Sequence, residues 1–232
     1  MTKVRDRATG CMPELLVLVA LLVLVAFYYL TRADAIGSYT PARGWYVTTA
    51  RPLPPTLHFV AAALLLGALP VLAARRLTGL GLAQLGMGFG RWRAGLAWMA
   101  VGIPLAVVAG KISSLSPAMQ SVYPLDPTMS GALSRFAPYA LLQFLYYGAW
   151  EVLFRGVLLF GLKERFGAGT ANVLQTALSV VAHFGRPFME TLGAAPAGLV
   201  FGFVSLRVRS LWYVALIHWV VGVSLDWFSL AT

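Results

Sequence analysis

The chain has 232 residues, of which 59% are apolar and only 11% charged, against about 25% charged in an ordinary soluble domain. Its net charge of +10 does not mark a nucleic-acid binder. The basic residues stand in short turns between long apolar runs, which is the pattern of anchoring against anionic lipid rather than of a phosphate-binding groove.

A spanning helix needs about 20 mostly apolar residues. In chain order, runs of roughly that kind occupy about 14–31, 56–74, 94–110, 136–162, 168–184, 192–206 and 210–229. They predict an all-α, polytopic transmembrane bundle of about seven spans, built as a single integral membrane domain over 1–232. The first run follows Lys3, Arg5 and Arg7 and exceeds a signal-peptide core of about 7–15 residues. Arg32 also interrupts the approach to the small-residue site Ala33-Asp34-Ala35, so a retained first helix is favoured, with cleavage of residues 1–35 as the alternative. The lone cysteine, Cys11, excludes an internal disulfide and a cysteine-based metal cluster, and is read as an incidental juxtamembrane thiol.

Gly79, Gly81, Gly86, Gly88 and Gly90 follow the second run. No strand precedes them, so a flexible cytoplasmic turn fits better than a dinucleotide loop. The fourth run is long enough to tilt or to continue past the membrane surface. Gly198 and Gly202, four apart in the sixth, read as a close helix-packing face. With the N-terminus cytoplasmic, eleven Lys and Arg residues fall on that side, including Arg75, Arg76, Lys163 and Arg165, against six on the other. An eighth span or re-entrant piece within 32–55 or 111–135 would move the C-terminus to the other side.

Eight carboxylates and three histidines are available for chemistry. Asp6, Glu14, Asp34, Asp126 and Glu164 fall at span ends or in loops, and an interfacial place suffices for His58. The rest are different. Glu151 and Arg155 interrupt the fourth run, His183 ends the fifth, Glu190 follows it, and His218 and Asp226 lie in the last. Each ionisable group at membrane depth costs about 2.5–3.5 kcal/mol on insertion scales, so such groups face one another or a wet cavity.

Glu151 and Arg155 are four apart and can pair on one helical face. His183 continues a polar stripe, Asn172, Gln175 and Ser179, that must face protein or water. A carboxylate with two imidazoles can hydrolyse a peptide bond. The carboxylate takes a proton from water and an imidazole holds that water or the oxyanion. Arg155 would keep Glu151 ionised. Gly185 and Pro187 break the helix after His183 and let Glu190 fold back towards a cavity mouth. Asp226, about 12 Å along a helix from His218, would lie nearer the outer surface and could hold Arg186 or a substrate group.

The segment Trp150-Glu151-Val152-Leu153-Phe154-Arg155-Gly156 resembles the first motif, Glu-Glu-x-x-x-Arg, of the CAAX-protease and bacteriocin-processing family. His183 stands at the histidine of its second motif, Phe-x-x-x-His, and His218 at that of its third, His-x-x-x-Asn. The resemblance covers about residues 135–230. It departs at Trp150, Ser179 and Gly222, which replace the first glutamate, the phenylalanine and the asparagine. The run Trp-Glu-x-x-Phe-Arg-Gly, the stretch His183 to Glu190 and the closing His218 to Asp226 look like a recurring bacterial variant, some members of which resemble myxosortases.

The resemblance implies a glutamate-dependent intramembrane endopeptidase in a bacterial inner (cytoplasmic) membrane. Glu151 would be the general base, Arg155 its partner, and His183 and His218 the water or oxyanion ligands. Glu190 would be a substitute acid, and Asp226, Ser179 and Tyr147 are further candidates to meet substrate or to support those groups. The expected partners are the lipid bilayer and a membrane-anchored or lipid-linked peptide, with no nucleic acid, no cofactor and no metal. Three alternatives stay open: a catalytically inactive immunity or scaffold protein, a zinc-dependent membrane hydrolase that lacks His-Glu-x-x-His, and a transporter with a buried proton path.

Overall fold

The structure is a computed structural model that describes residues 12–31, 54–129 and 133–231. Cys11, the Ala33-Asp34-Ala35 site, the carboxylates Asp6 and Asp34 and the basic residues Lys3, Arg5, Arg7, Arg32, Arg43 and Arg51 lie outside the described residues. Helices stand at each of the seven expected places: α1 (Leu15–Thr31), α2 (Pro55–Thr78), α3 (Trp92–Ser114), α4 (Leu133–Phe166), α5 (Ala168–Ala182), α6 (Phe188–Val208) and α7 (Trp212–Leu230). Among the described residues there is no strand.

Five of these helices, α2, α3, α4, α6 and α7, are long and apolar enough to cross a membrane. Among the described residues the apolar α1 is shorter, with 17 residues, and α5 has 15. For α5 the reason is its sequence: Asn172, Gln175 and Ser179 dilute it, and His183 closes it after Ala182.

The long α4 is the axis of the bundle. Its run from Tyr147 to Leu162 is buried without a break, and α1, α2, α5 and α7 all pack against it. Leu16, Phe27, Leu66, Leu153, Leu158 and Leu162 form the main core around it. The outer faces carry exposed Leu, Val and Ile, among them Val101, Leu105 and Ile112 on α3 and Leu141 on α4. In water such a surface is an association hazard. In a bilayer it is the solvent-matched face.

A π-helical stretch, Val152–Phe160, interrupts α4 directly after Glu151, and such widened turns recur at functional sites. On α6 a side chain at Gly198 would come within 2.7 Å of the Thr176 methyl, and one at Gly202 would overlap the Asn172 amide. The small residues therefore let α6 lie directly on the polar face of α5, where the Gln175 amide donates to the Gly198 carbonyl at 3.1 Å.

The glycine-rich turn is not loose. Gly79, Gly86 and Gly90 take positive φ, which glycine adopts at no steric cost, and the loop folds back on the α6–α7 connection. Leu211 N–H donates to Gly86 O at 2.9 Å, Arg91 N–H to Val208 O at 2.6 Å and the Trp212 indole to Met87 O at 2.8 Å. Leu85 is fully buried beneath it. The expectation of a flexible turn is corrected: satisfied backbone groups and one buried leucine hold it in place.

Candidate active site

On α4, Tyr139, Gln143, Tyr147, Glu151 and Arg155 recur at intervals of four, so they form one stripe along the helix. On α7, His218, Gly222 and Asp226 do the same. The two helices pack together, and their stripes meet in opposite order along the chain. Glu151 meets His218, Tyr147 meets Gly222, and Tyr139 with Gln143 meets Asp226.

At the first of these contacts Glu151 is fully buried and Arg155 is 2% exposed. Arg155 Nη1 donates to Glu151 Oε1 at 3.1 Å, and its Nε lies 3.0 Å from Oε2. His218 Nδ1 sits 2.7 Å from the same Oε1. With a carboxylate oxygen as the acceptor, the imidazole Nδ1–H is the donor. Oε1 thus takes both hydrogen bonds, while the buried Oε2 has only the ion-pair contact with Arg155 Nε and no hydrogen bond. The His218 side chain remains 22% exposed. Phe201 of α6 roofs the pair, its ring 5.5 Å from the Arg155 guanidinium carbon and 5.8 Å from the His218 ring. A cation over an aromatic face gains from the ring quadrupole.

His183 closes α5 beside this pair. Its Nδ1–H donates to the Ser179 carbonyl at 2.7 Å, since a carbonyl can only accept, and its ring meets Trp150 edge-on at 5.1 Å. A neutral His183 therefore presents a bare Nε2, which accepts a hydrogen bond from water. Ser179 contributes its backbone here. Trp150, where the first motif has a glutamate, is a buried packing residue against Phe154 and His183.

Residues 133–224, 92 of the 232, match the family model described as type II CAAX prenyl endopeptidase Rce1-like. The match supports that family. It spans α4 to α7 and includes Glu151, Arg155, His183 and His218. No curated protein and no solved structure matches the chain.

The remaining candidates separate. Glu190, in the first turn of α6, accepts from the Tyr123 hydroxyl at 3.0 Å and lies 4.0 Å from Arg186. Both side chains of that pair are mostly covered, 19% and 7% exposed. Burial works against the Arg186 charge, but the oxygens of Tyr123, Tyr146 and Glu190 outweigh it and raise the guanidinium above its ordinary value. The same burial pushes the Tyr123 phenol well up. Glu190 thus joins the α3–α4 loop to the start of α6.

Asp226 lies about two turns beyond His218 on α7. It is fully buried and accepts from the Tyr139 hydroxyl at 2.6 Å and the Gln143 amide at 3.0 Å. These two donors come from α4, so the carboxylate ties α7 to α4 instead of holding Arg186. The third histidine, His58, packs its ring against Phe27 at 4.9 Å and Tyr146 at 5.5 Å. Among the described residues no three His, Cys, Asp or Glu side chains are grouped to hold a metal ion.

Tyr147 was named in the sequence only as a supporting candidate, and its placement explains one motif departure. A side chain at 222 would overlap the Tyr147 hydroxyl and ring, and that ring meets His218 edge-on at 4.8 Å. The phenol fills the space that glycine vacates where the motif has asparagine. Tyr139 and Gln143 were missed altogether, although the spacing of four that leads from them to Glu151 was present in the sequence.

Proposed function

We propose that this chain is an intramembrane endopeptidase of the CAAX-protease type. It hydrolyses a peptide bond in a membrane-anchored or lipid-linked peptide, with water activated at the Glu151–His218 pair. The observation that carries this reading is the buried Glu151–Arg155–His218 constellation. It unites two distant helices inside the Rce1-like segment and leaves the imidazole partly open. Arg155 pairs with the carboxylate, and His183 offers a second ring nitrogen to the attacking water. The Tyr147 O–H adds a donor for the oxyanion that develops on the scissile carbonyl, the kind of fixed dipole that stabilises such transition states.

The resemblance to bacterial variants of the family supports a bacterial inner (cytoplasmic) membrane, and the eleven-to-six bias of basic residues supports a cytoplasmic N-terminus. The test is cleavage in proteoliposomes of two peptides, one carrying a prenylated CAAX tail and one with an ordinary lipid anchor. Wild-type protein should cut at least one of them, and Glu151→Gln should cut neither while still inserting. Strong chelators should leave the rate unchanged, because among the described residues no three donors converge. Chelator inhibition reversed by zinc would transfer the reaction to the metal-hydrolase alternative.

A further inference from the structure

We infer that the atom that takes the proton from the attacking water is Nε2 of His218, with Glu151 acting through the imidazole as its positioning residue. The inference rests on the peptidase reading and specifies its base. Three observations carry it. First, Glu151 is fully buried: its Oε1 is shared by Arg155 Nη1 and His218 Nδ1, and its Oε2, 3.0 Å from Arg155 Nε but without a hydrogen bond, has no exposed surface. A proton acceptor must lie within about 2.6–3.2 Å of the water it activates, and water has no approach to a carboxylate enclosed in this way. Second, His218 spends Nδ1 on Glu151, so its other ring nitrogen is the one left for solvent or substrate, and the side chain is 22% exposed. Third, Trp150 occupies the place of a second carboxylate one residue before Glu151 and is itself buried against Phe154 and His183. Among the described residues, Glu190 is hydrogen-bonded to Tyr123 and Asp226 to Tyr139 and Gln143, and neither bonds Glu151 or His218.

The step balances as follows. His218 Nε2 accepts a proton from water as the water oxygen bonds to the scissile carbonyl carbon and the carbonyl π pair moves onto oxygen. The imidazolium so formed is stabilised by the Glu151 carboxylate at Nδ1–H. The carbonyl then re-forms, the C–N bond breaks, and the proton on Nε2 passes to the departing nitrogen. Water and peptide become a carboxylic acid and an amine, and the imidazole returns neutral. Glu151 orients the imidazole and sets its tautomer, as a buried carboxylate behind a catalytic imidazole does in acyl-transfer enzymes.

The test reads the tautomer directly. Full-length protein labelled with ¹⁵N-histidine in detergent micelles contains three imidazoles, and the His218→Gln spectrum assigns the one of interest. The expected result is a protonated Nδ1 and a bare Nε2 in the wild type, with the tautomers redistributed in Glu151→Gln. A protonated Nε2 beside a bare Nδ1 overturns the inference. In the cleavage assay, His218→Gln and His218→Ala should both lose about 10²–10⁴-fold, with added imidazoles restoring His218→Ala in order of their basicity. Glutamine can donate a hydrogen bond but cannot serve as the base, so near-wild-type turnover in His218→Gln also overturns the inference. A wild-type chain that cleaves neither peptide overturns the peptidase reading and this inference with it. The tautomer and glutamine results bear on the base assignment alone.

Discussion

Replacing Glu151 by Gln separates what the buried pair does for the fold from what it does for chemistry. The carboxylate is fully buried against an equally enclosed guanidinium, with contacts of 3.0 and 3.1 Å. Removing one partner of such a pair leaves the other charge buried and uncompensated, at a cost of about 3–5 kcal/mol. Glutamine keeps a carbonyl oxygen for one Arg155 N–H, and Phe201 still faces the cation, so the low end, about 3 kcal/mol, is the expected loss. That is roughly a hundredfold in the folding equilibrium, at about 1.4 kcal/mol per decade. The double variant Glu151→Gln/Arg155→Met removes the stranded charge and fills its volume with an apolar chain. Such replacements of buried pairs are often neutral or stabilising, so stability should return while cleavage stays absent. Unfolding by SDS in mixed micelles, followed by far-UV circular dichroism, measures the first quantity, and proteoliposome cleavage measures the second. If the double variant is as unstable as Glu151→Gln alone, the destabilisation does not come from a stranded Arg155 and the reasoning fails.

Three further outcomes are expected. Gly222→Asn should destabilise by about 1–3 kcal/mol through overpacking against Tyr147, and Tyr147→Ala/Gly222→Asn should recover most of that loss in the same unfolding assay. Single cysteines placed at Arg76 and Arg165 should react with a membrane-impermeant thiol reagent only from the cytoplasmic side, and labelling from outside would reverse the orientation. Glu14 accepts from Arg165 Nε at 2.7 Å, and this hydrogen bond holds its carboxyl below the ordinary 4.5. A depressed carboxylate contributes stability that is present above the unfolded value and lost as pH falls through the folded one. Amide exchange in the first turns of α1 should therefore quicken below pH 4.5, and Glu14→Gln should remove that pH dependence.

The positions of the helices and the side chains worth suspecting were legible in the sequence, because both depend on local rules. Apolar run length marked all seven helices, and the cost of burying charge singled out Glu151, Arg155, His183 and His218. A spacing of four placed Glu151 and Arg155 on one face. The same rule, extended, would have included Tyr139, Gln143 and Tyr147, and it joins His218 to Gly222 and Asp226.

What no local rule supplies is the register of α4 against α7. Each stripe repeats about every turn, or about 5.4 Å of helix, so a slip of one turn would set Glu151 against Gly222 and leave His218 without its acceptor. That choice belongs to the packing of segments 67 residues apart. The Tyr147 ring seated over Gly222 and the Asp226 carboxylate received by Tyr139 and Gln143 select one register and disfavour the next. The burial of Asp226, the ordered glycine turn under Leu211 and the edge-on contact of His183 with Trp150 arise in the same way. They depend on which faces meet, and only the folded bundle decides that.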